Sequence, residues 1–194
     1  MGIIYRRALE SGSGTWWHEH DGEPSAFSVR DYANTIVPPL RELGIRILVE
    51  PGRFLVGNAG VLLTRVLYIK ETEQKKFAII DAGMNDLIRP ALYQSYHQIV
   101  SVIQPSMSRN KTEKMDIVGP VCESGDFFGQ DREMPELRPG DLLAVMSAGA
   151  YGFVMASNYN SRPLPAEALV RGDQVGLIRK RQTIEDLVGD EIDA

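Results

Sequence analysis

Apolar positions early in the chain recur at helical spacing and then condense into a short continuous run. Val29, Tyr32, Ala33, Ile36, Val37 and Leu40 follow an i, i+3, i+4 rhythm, which predicts an amphipathic helix through about Leu43. Ser28 stands at the N-cap position with Asp31 three residues on as an imperfect capping box, and Gly44 suits the C′ position. Pro38 and Pro39 fall inside the pattern and predict a kink or an interruption. Ile45 to Val49 is almost wholly apolar, the mark of a strand buried on both faces of a parallel sheet. Glu50-Pro51-Gly52-Arg53 follows as a polar loop, and Gly2 to Tyr5 reads as the stub of an earlier strand. Stub, helix, glycine, buried strand and polar loop together predict one β/α repeat with its loop at the strand's carboxyl edge.

After Arg53 the pattern changes. Residues 61–70 and 77–81 are strand-like and flank a charged hairpin loop, Glu71 to Lys76. Further strands are expected at Met115–Val121, Leu142–Ser147 and Gln174–Arg179, separated by turns such as Arg138-Pro139-Gly140-Asp141. Short strands punctuated in this way predict a mainly antiparallel β-sandwich or barrel-like domain. Glu185 to Ile192 suits a short terminal helix. The expected division is therefore an α/β portion over residues 1–55 and a β domain over residues 56–194.

Composition narrows the function classes. The 194 residues are 43% hydrophobic and 24% charged, ordinary for a globular protein, with a net charge of −5. That balance argues against a nucleic-acid partner, and the short basic run Arg179-Lys180-Arg181 sits beside Glu185 and Asp186 as a solvated face. A single cysteine, Cys122, excludes an internal disulfide and a multi-cysteine zinc site. No apolar run approaches the roughly 20 residues needed to span a bilayer, and the first residues do not form a secretory signal. The expected location is the cytoplasm. Residues 6–22 read as a Gly/Ser-rich loop insertion; His18 and His20 offer only two imidazoles, so no metal site is expected there.

Four segments carry residue types suited to chemistry. Glu50-Pro51-Gly52-Arg53 is either a plain turn or an anion site, in which glycine admits backbone N–H groups and Arg53 offers a permanently charged fork. Asp81-Ala82-Gly83 leads to Arg89-Pro90-Ala91-Leu92-Tyr93, where Arg89 precedes a proline and is expected to be extended. Gly119-Pro120-Val121-Cys122-Glu123-Ser124-Gly125-Asp126 presents a thiol at the end of a strand, where a lone cysteine is otherwise a small buried hydrophobe. Gly149-Ala150-Tyr151-Gly152, followed by Met155-Ala156-Ser157-Asn158-Tyr159-Asn160, brackets a phenol with glycines that allow backbone to approach a ligand.

Taken in order, these segments resemble the second half of the diaminopimelate decarboxylases, from about Phe27 to Ile178. Cys122-Glu123-Ser124-Gly125-Asp126 is the most specific match, since related ornithine and arginine-type decarboxylases carry Asp after the cysteine. The resemblance implies a pyridoxal 5′-phosphate enzyme with a (β/α)8 barrel followed by a β domain, so residues 1–55 are expected to be a barrel remnant. Gly2-Ile3-x-Tyr5 would be the last trace of a glycine-rich phosphate loop. By resemblance, Glu50, Pro51, Gly52, Arg53 and Tyr151 bind the cofactor. Arg53, Arg89, Tyr93, Glu123 and Tyr151 bind substrate, Arg89 and Tyr93 at its distal carboxylate and Glu123 at its distal ammonium. Cys122 is the proton donor, and with Glu123 it serves the partner subunit's site in a homodimer.

Those residue types suit the chemistry implied. Loss of CO2 from an amino acid leaves a carbanion that needs a positioned acid, and a thiol with a pKa of about 8.5 is a credible one. Lys70, Lys75, Lys76, Lys111, Lys114 and Lys180 are the lysines present. Those that can be assigned lie in charged or polar turns or near a strand end, none of them suited to anchoring the cofactor. The chain is therefore expected to be inactive alone. Two other readings stay open: a non-catalytic β domain that dimerises and regulates a full-length paralogue, and a decarboxylase of the same family acting on a carboxylated polyamine precursor.

Overall fold

The computed structural model describes residues 1–6, 28–102 and 111–192. Strands β1 (Gly2–Arg6), β2 (Gly60–Glu71), β3 (Lys76–Ile80), β4 (Ile99–Ser101), β5 (Thr112–Val118), β6 (Phe127–Pro135), β7 (Leu142–Val145), β8 (Ala166–Arg171) and β9 (Gln174–Arg179) join into one mixed sheet. Helices α1 (Val29–Glu42), α2 (Gly52–Val56), α3 (Arg89–Tyr93) and α4 (Ile184–Val188) lie between or after them.

The spine is β2. Leu62, Thr64 and Val66 alternate inward while Arg65 and Leu67 face out, the period of a half-buried strand. Its first half pairs antiparallel with β1 and with β7; its second half, past an irregularity between Val66 and Tyr68, pairs antiparallel with β3. The bulge lets one strand serve two stretches of sheet. From there β3 runs parallel to β5, β5 antiparallel to β6, β1 parallel to β8, β8 antiparallel to β9, and β7 antiparallel to β4. Ile3, Leu62, Ile80, Ile117, Phe128 and Leu143 belong to one buried cluster fed by both stretches.

The expected strands at 61–70, 77–81, 142–147 and 174–179 are present as β2, β3, β7 and β9, and the terminal helix as the shorter α4. The strand expected over Met115–Val121 is β5, displaced three residues toward the amino end. The sheet is mixed rather than simply antiparallel.

The β/α repeat does not form. Residues 45–50 have no strand assignment, and Leu48 and Val49 are 77% and 62% exposed. A run of apolar residues becomes a buried parallel strand only with neighbours to accept its backbone hydrogen bonds, and among the described residues no strand pairs with it. The stub β1 instead sits between β2 and β8, with Ile3 fully buried. Helix α1 forms with a complete capping box, Ser28 Oγ accepting from the Asp31 amide at 3.1 Å and the Asp31 carboxylate accepting from the Ser28 amide at 3.3 Å. Gly44 follows at φ +67°. Pro38 and Pro39 do not interrupt it. The carbonyls they leave unbonded, four residues back at Asn34 and Thr35, belong to exposed residues that water can serve. No residue of α1 is buried. Residues 7–22 of the expected insertion, with His18 and His20, lie outside the described residues.

Candidate active site

The loop after β7 is the hub. Tyr151 has φ +58°, a left-handed backbone that a non-glycine residue adopts only under surrounding constraint. Its flanking glycines supply that constraint. A Cβ on Gly149 would lie 1.9 Å from the Val56 carbonyl oxygen, and one on Gly152 would lie 2.2 Å from that of Ala148. Gly149 N–H donates to the Gly57 carbonyl at 3.0 Å and Ala148 N–H to Gly60 at 2.8 Å. These glycines therefore let the loop pack directly on the end of α2, which brings Tyr151 to Arg53. In the sequence they read as access for a ligand; in the structure they serve backbone-to-backbone approach.

Arg53 projects from α2 with its guanidinium 5.5 Å from the Tyr151 ring centre. Arg89 approaches the same ring at 5.6 Å and the Tyr93 ring at 6.0 Å. Arg89 is not extended: it is the first residue of α3, whose Pro90 sits in the first turn, where a missing N–H is not needed. Tyr93, four residues on, then falls on the same helix face. Arg89 Nη2 also donates to Ser95 Oγ at 3.2 Å. Burial and the neighbouring Arg53 charge lower the pKa of Arg89. Two guanidiniums converging on one phenol make a site that favours an anion. Glu50 and Gly52 are exposed and lead, with Pro51 as N-cap, straight into Arg53.

Cys122 and Glu123 form a second cluster on the loop after β5, both exposed. Buried Asp126 clamps this loop, its carboxylate accepting from the Val121 and Met84 amides at 2.6 Å each. Burial raises the Asp126 pKa against the lowering effect of those amides. The same carboxylate fills the space a side chain on Gly119 would take, at 2.3 Å. A Cβ on Gly125 would sit 3.7 Å from Ala91 Cβ, so the cysteine loop runs beside α3. Glu123 accepts from the Tyr159 hydroxyl at 3.3 Å and from the Gly125 amide at 3.4 Å.

Sequence reasoning missed the buried polar bracing. Arg162 Nε donates to Asn85 Oδ1 at 2.8 Å, and Arg162 Nη2 to the Asp81 carbonyl at 2.6 Å. Asp86, fully buried, accepts from the Gly83 amide at 2.8 Å and lies 3.8 Å from Arg162. Burial pushes its pKa to about 6, despite the Gly83 amide and Arg162. Asn85, Asp86, Asp126 and Arg162 all fall in turn-rich stretches, where polar residues look solvated until their tertiary partners are known. Among the described residues, no group of three or more His, Cys, Asp and Glu side chains is placed to hold a metal, and no helix is long and apolar enough to cross a membrane.

The comparisons agree with one another. Residues 10–149 match the family model described as pyridoxal-dependent decarboxylase, C-terminal sheet domain. A diaminopimelate decarboxylase of Zymomonas mobilis is 49% identical over 93% of this chain and 42% of its own length. The crystal structure described as diaminopimelate decarboxylase from m. jannaschi superposes with a TM-score of 0.83 at 39% identity, covering 90% of this chain and 40% of that one. The Helicobacter pylori enzyme complexed with L-lysine gives 0.77 at 45% identity, covering 87% and 41%. The chain thus spans under half the length of these relatives. On the family match and the fold together, the chain belongs to the pyridoxal-dependent decarboxylases, as their carboxy-terminal sheet domain.

Proposed function

We propose that this chain acts as the carboxy-terminal part of a pyridoxal 5′-phosphate-dependent diaminopimelate decarboxylase, which converts meso-2,6-diaminopimelate to L-lysine and CO2. The observation that carries the reading is the convergence of Arg53 and Arg89 on Tyr151, with Cys122 and Glu123 presented on a separate exposed loop. A paired cationic site suits a ligand rich in carboxylate and phosphate oxygens.

The residues present fit the cofactor. The Arg53 charge helps lower the Arg89 pKa, so a bound anion would relieve the repulsion between the two guanidiniums, and Tyr151 lies within reach of both. Glu50, Pro51, Gly52, Arg53 and Tyr151 would line the cofactor, with Arg53 and Tyr151 also reaching substrate. When bound, pyridoxal phosphate supplies an electron sink for the carbanion left by CO2 loss. Arg89, with Tyr93 beside it, holds the substrate's distal carboxylate through a bidentate guanidinium. Glu123 takes the distal ammonium. The Cys122 thiol delivers the proton to the α-carbon. In this reading residues 1–55 belong with a barrel in the complete protein and residues 56–194 with the sheet domain, although Gly2–Arg6 pairs within the sheet in this structure. Cys122 and Glu123 complete the partner subunit's site in a cytoplasmic homodimer.

The lysine that anchors the cofactor belongs to the barrel, so the chain alone is inactive. Borohydride treatment of the chain mixed with pyridoxal phosphate should lock no adduct. A stable reduced adduct on one specific lysine would overturn this part of the reading.

A further inference from the structure

Glu123 is an exposed side chain on an exposed loop, and such a carboxylate ordinarily samples several rotamers. Recognition of a single ammonium group requires it held in one. Each of its oxygens has one donor: Gly125 N–H to Oε1 at 3.4 Å and Tyr159 O–H to Oε2 at 3.3 Å. The first is local to the loop. The second comes from 36 residues away, on a turn with its own bracing.

That turn is firmly held. Asn160 and Ser161 take left-handed backbone at φ +60° and +54°. Asn158 Nδ2 donates to the Arg162 carbonyl at 2.9 Å and to Gln182 Oε1 at 2.6 Å, and Gln182 Oε1 also accepts from the Leu164 amide at 3.0 Å. Arg162 fastens the same turn to Asn85 and Asp81, and the Ser157 amide donates to the Asn85 carbonyl at 2.9 Å. Tyr159 therefore extends its phenol to Glu123 from a braced backbone. It is 48% exposed, as is fitting for a group that borders a ligand rather than the core.

We propose that Tyr159 is a positioning residue of the site: it orients the Glu123 carboxylate toward a primary alkylammonium while each oxygen keeps a lone pair for that ligand. This rests on the decarboxylase reading for the ligand's identity, but the contact itself does not. The Glu123 charge raises the Tyr159 pKa, with a smaller contribution from Cys122, which places the thiol, acid and phenol within electrostatic reach of one another.

Two measurements test it. In the full chain carrying 13C-labelled tyrosine, the Tyr159 signal is assigned by its loss in Y159F, and its pH titration is followed. E123Q is expected to move the midpoint to lower pH; an unchanged midpoint overturns the proposal. The second uses the chain joined behind the barrel portion of the Zymomonas mobilis relative. Y159F is expected to raise KM for diaminopimelate about tenfold, the scale of a lost hydrogen bond to a charged group, with kcat changed far less. In an E123Q background the same substitution should add nothing. Independent, additive effects would show that Tyr159 does not act through Glu123. A joined protein that folds yet decarboxylates nothing would strike the decarboxylase reading, while the titration still decides the role of Tyr159.

Discussion

Arg53 and Arg89 sit about one phenol ring apart in character: each lies within 5.6 Å of the Tyr151 centre, and each faces a like charge. Like charges so placed are stable because the aromatic face and solvent screen them, and a bound anion improves both. In the barrel-joined protein, R89K should fail to substitute well, since lysine lacks the planar fork; a loss of about tenfold or more in kcat/KM is expected, read by steady-state kinetics. Asp86 gives a second prediction. Its folded pKa of about 6 stands above the ordinary 3.8, so the folded state holds its proton more tightly than the unfolded one. Relative to the ionised group, its protonation contributes about 3 kcal/mol to folding below about pH 4, and that contribution is lost as pH rises through about 6. Carboxyl 13C titration should place its midpoint close to 6; a midpoint near 4 would contradict the account. Neither Asp86 nor Arg162 was legible in the sequence, because a buried charge is recognisable only once its partners are placed.

At the scale of elements, the sequence was readable where apolar, strand-like runs stand between turn signals, as in β2, β3 and β9. It was silent on β6, whose strand contains Gln130, Asp131, Arg132 and Glu133, and whose Asp131 has φ +51°. It was silent on β8 as well, where buried Glu167 breaks the apolar pattern and is matched by Arg179 of β9. The opposite error occurred at Ile45–Val49, where a convincing apolar run pairs with no strand among the described residues. Of the residues singled out in the sequence, Arg53, Arg89, Tyr93 and Tyr151 come together in the structure while Cys122 and Glu123 stand on another loop; the reason for the paired glycines was not legible. G149A tests that reason: its methyl would collide with the Val56 carbonyl oxygen, and a loss of about 2–4 kcal/mol is expected from urea unfolding. Wild-type stability in that variant would show that Gly149 is there for ligand access instead.

On the scale of the whole molecule, one mixed sheet carries the core while residues 29–56 contribute little to it. Leu43, Ile45, Leu48, Val49, Leu55 and Val56 are all more than half exposed or close to it. Apolar surface of this extent drives association, so light scattering of the purified chain should report oligomers or aggregates; a monodisperse monomer would contradict this. The same surface is what a barrel would cover under the proposed function. The most direct test of the central claim therefore supplies that barrel, by joining the chain behind the amino-terminal portion of the Zymomonas mobilis relative, and measures CO2 release from meso-2,6-diaminopimelate with and without C122A. The account predicts lysine and CO2 from the joined protein and a loss of at least about a hundredfold in C122A, the scale of a general acid. A folded, cofactor-loaded protein that releases no CO2, or one whose C122A variant works at the parent rate, would contradict it.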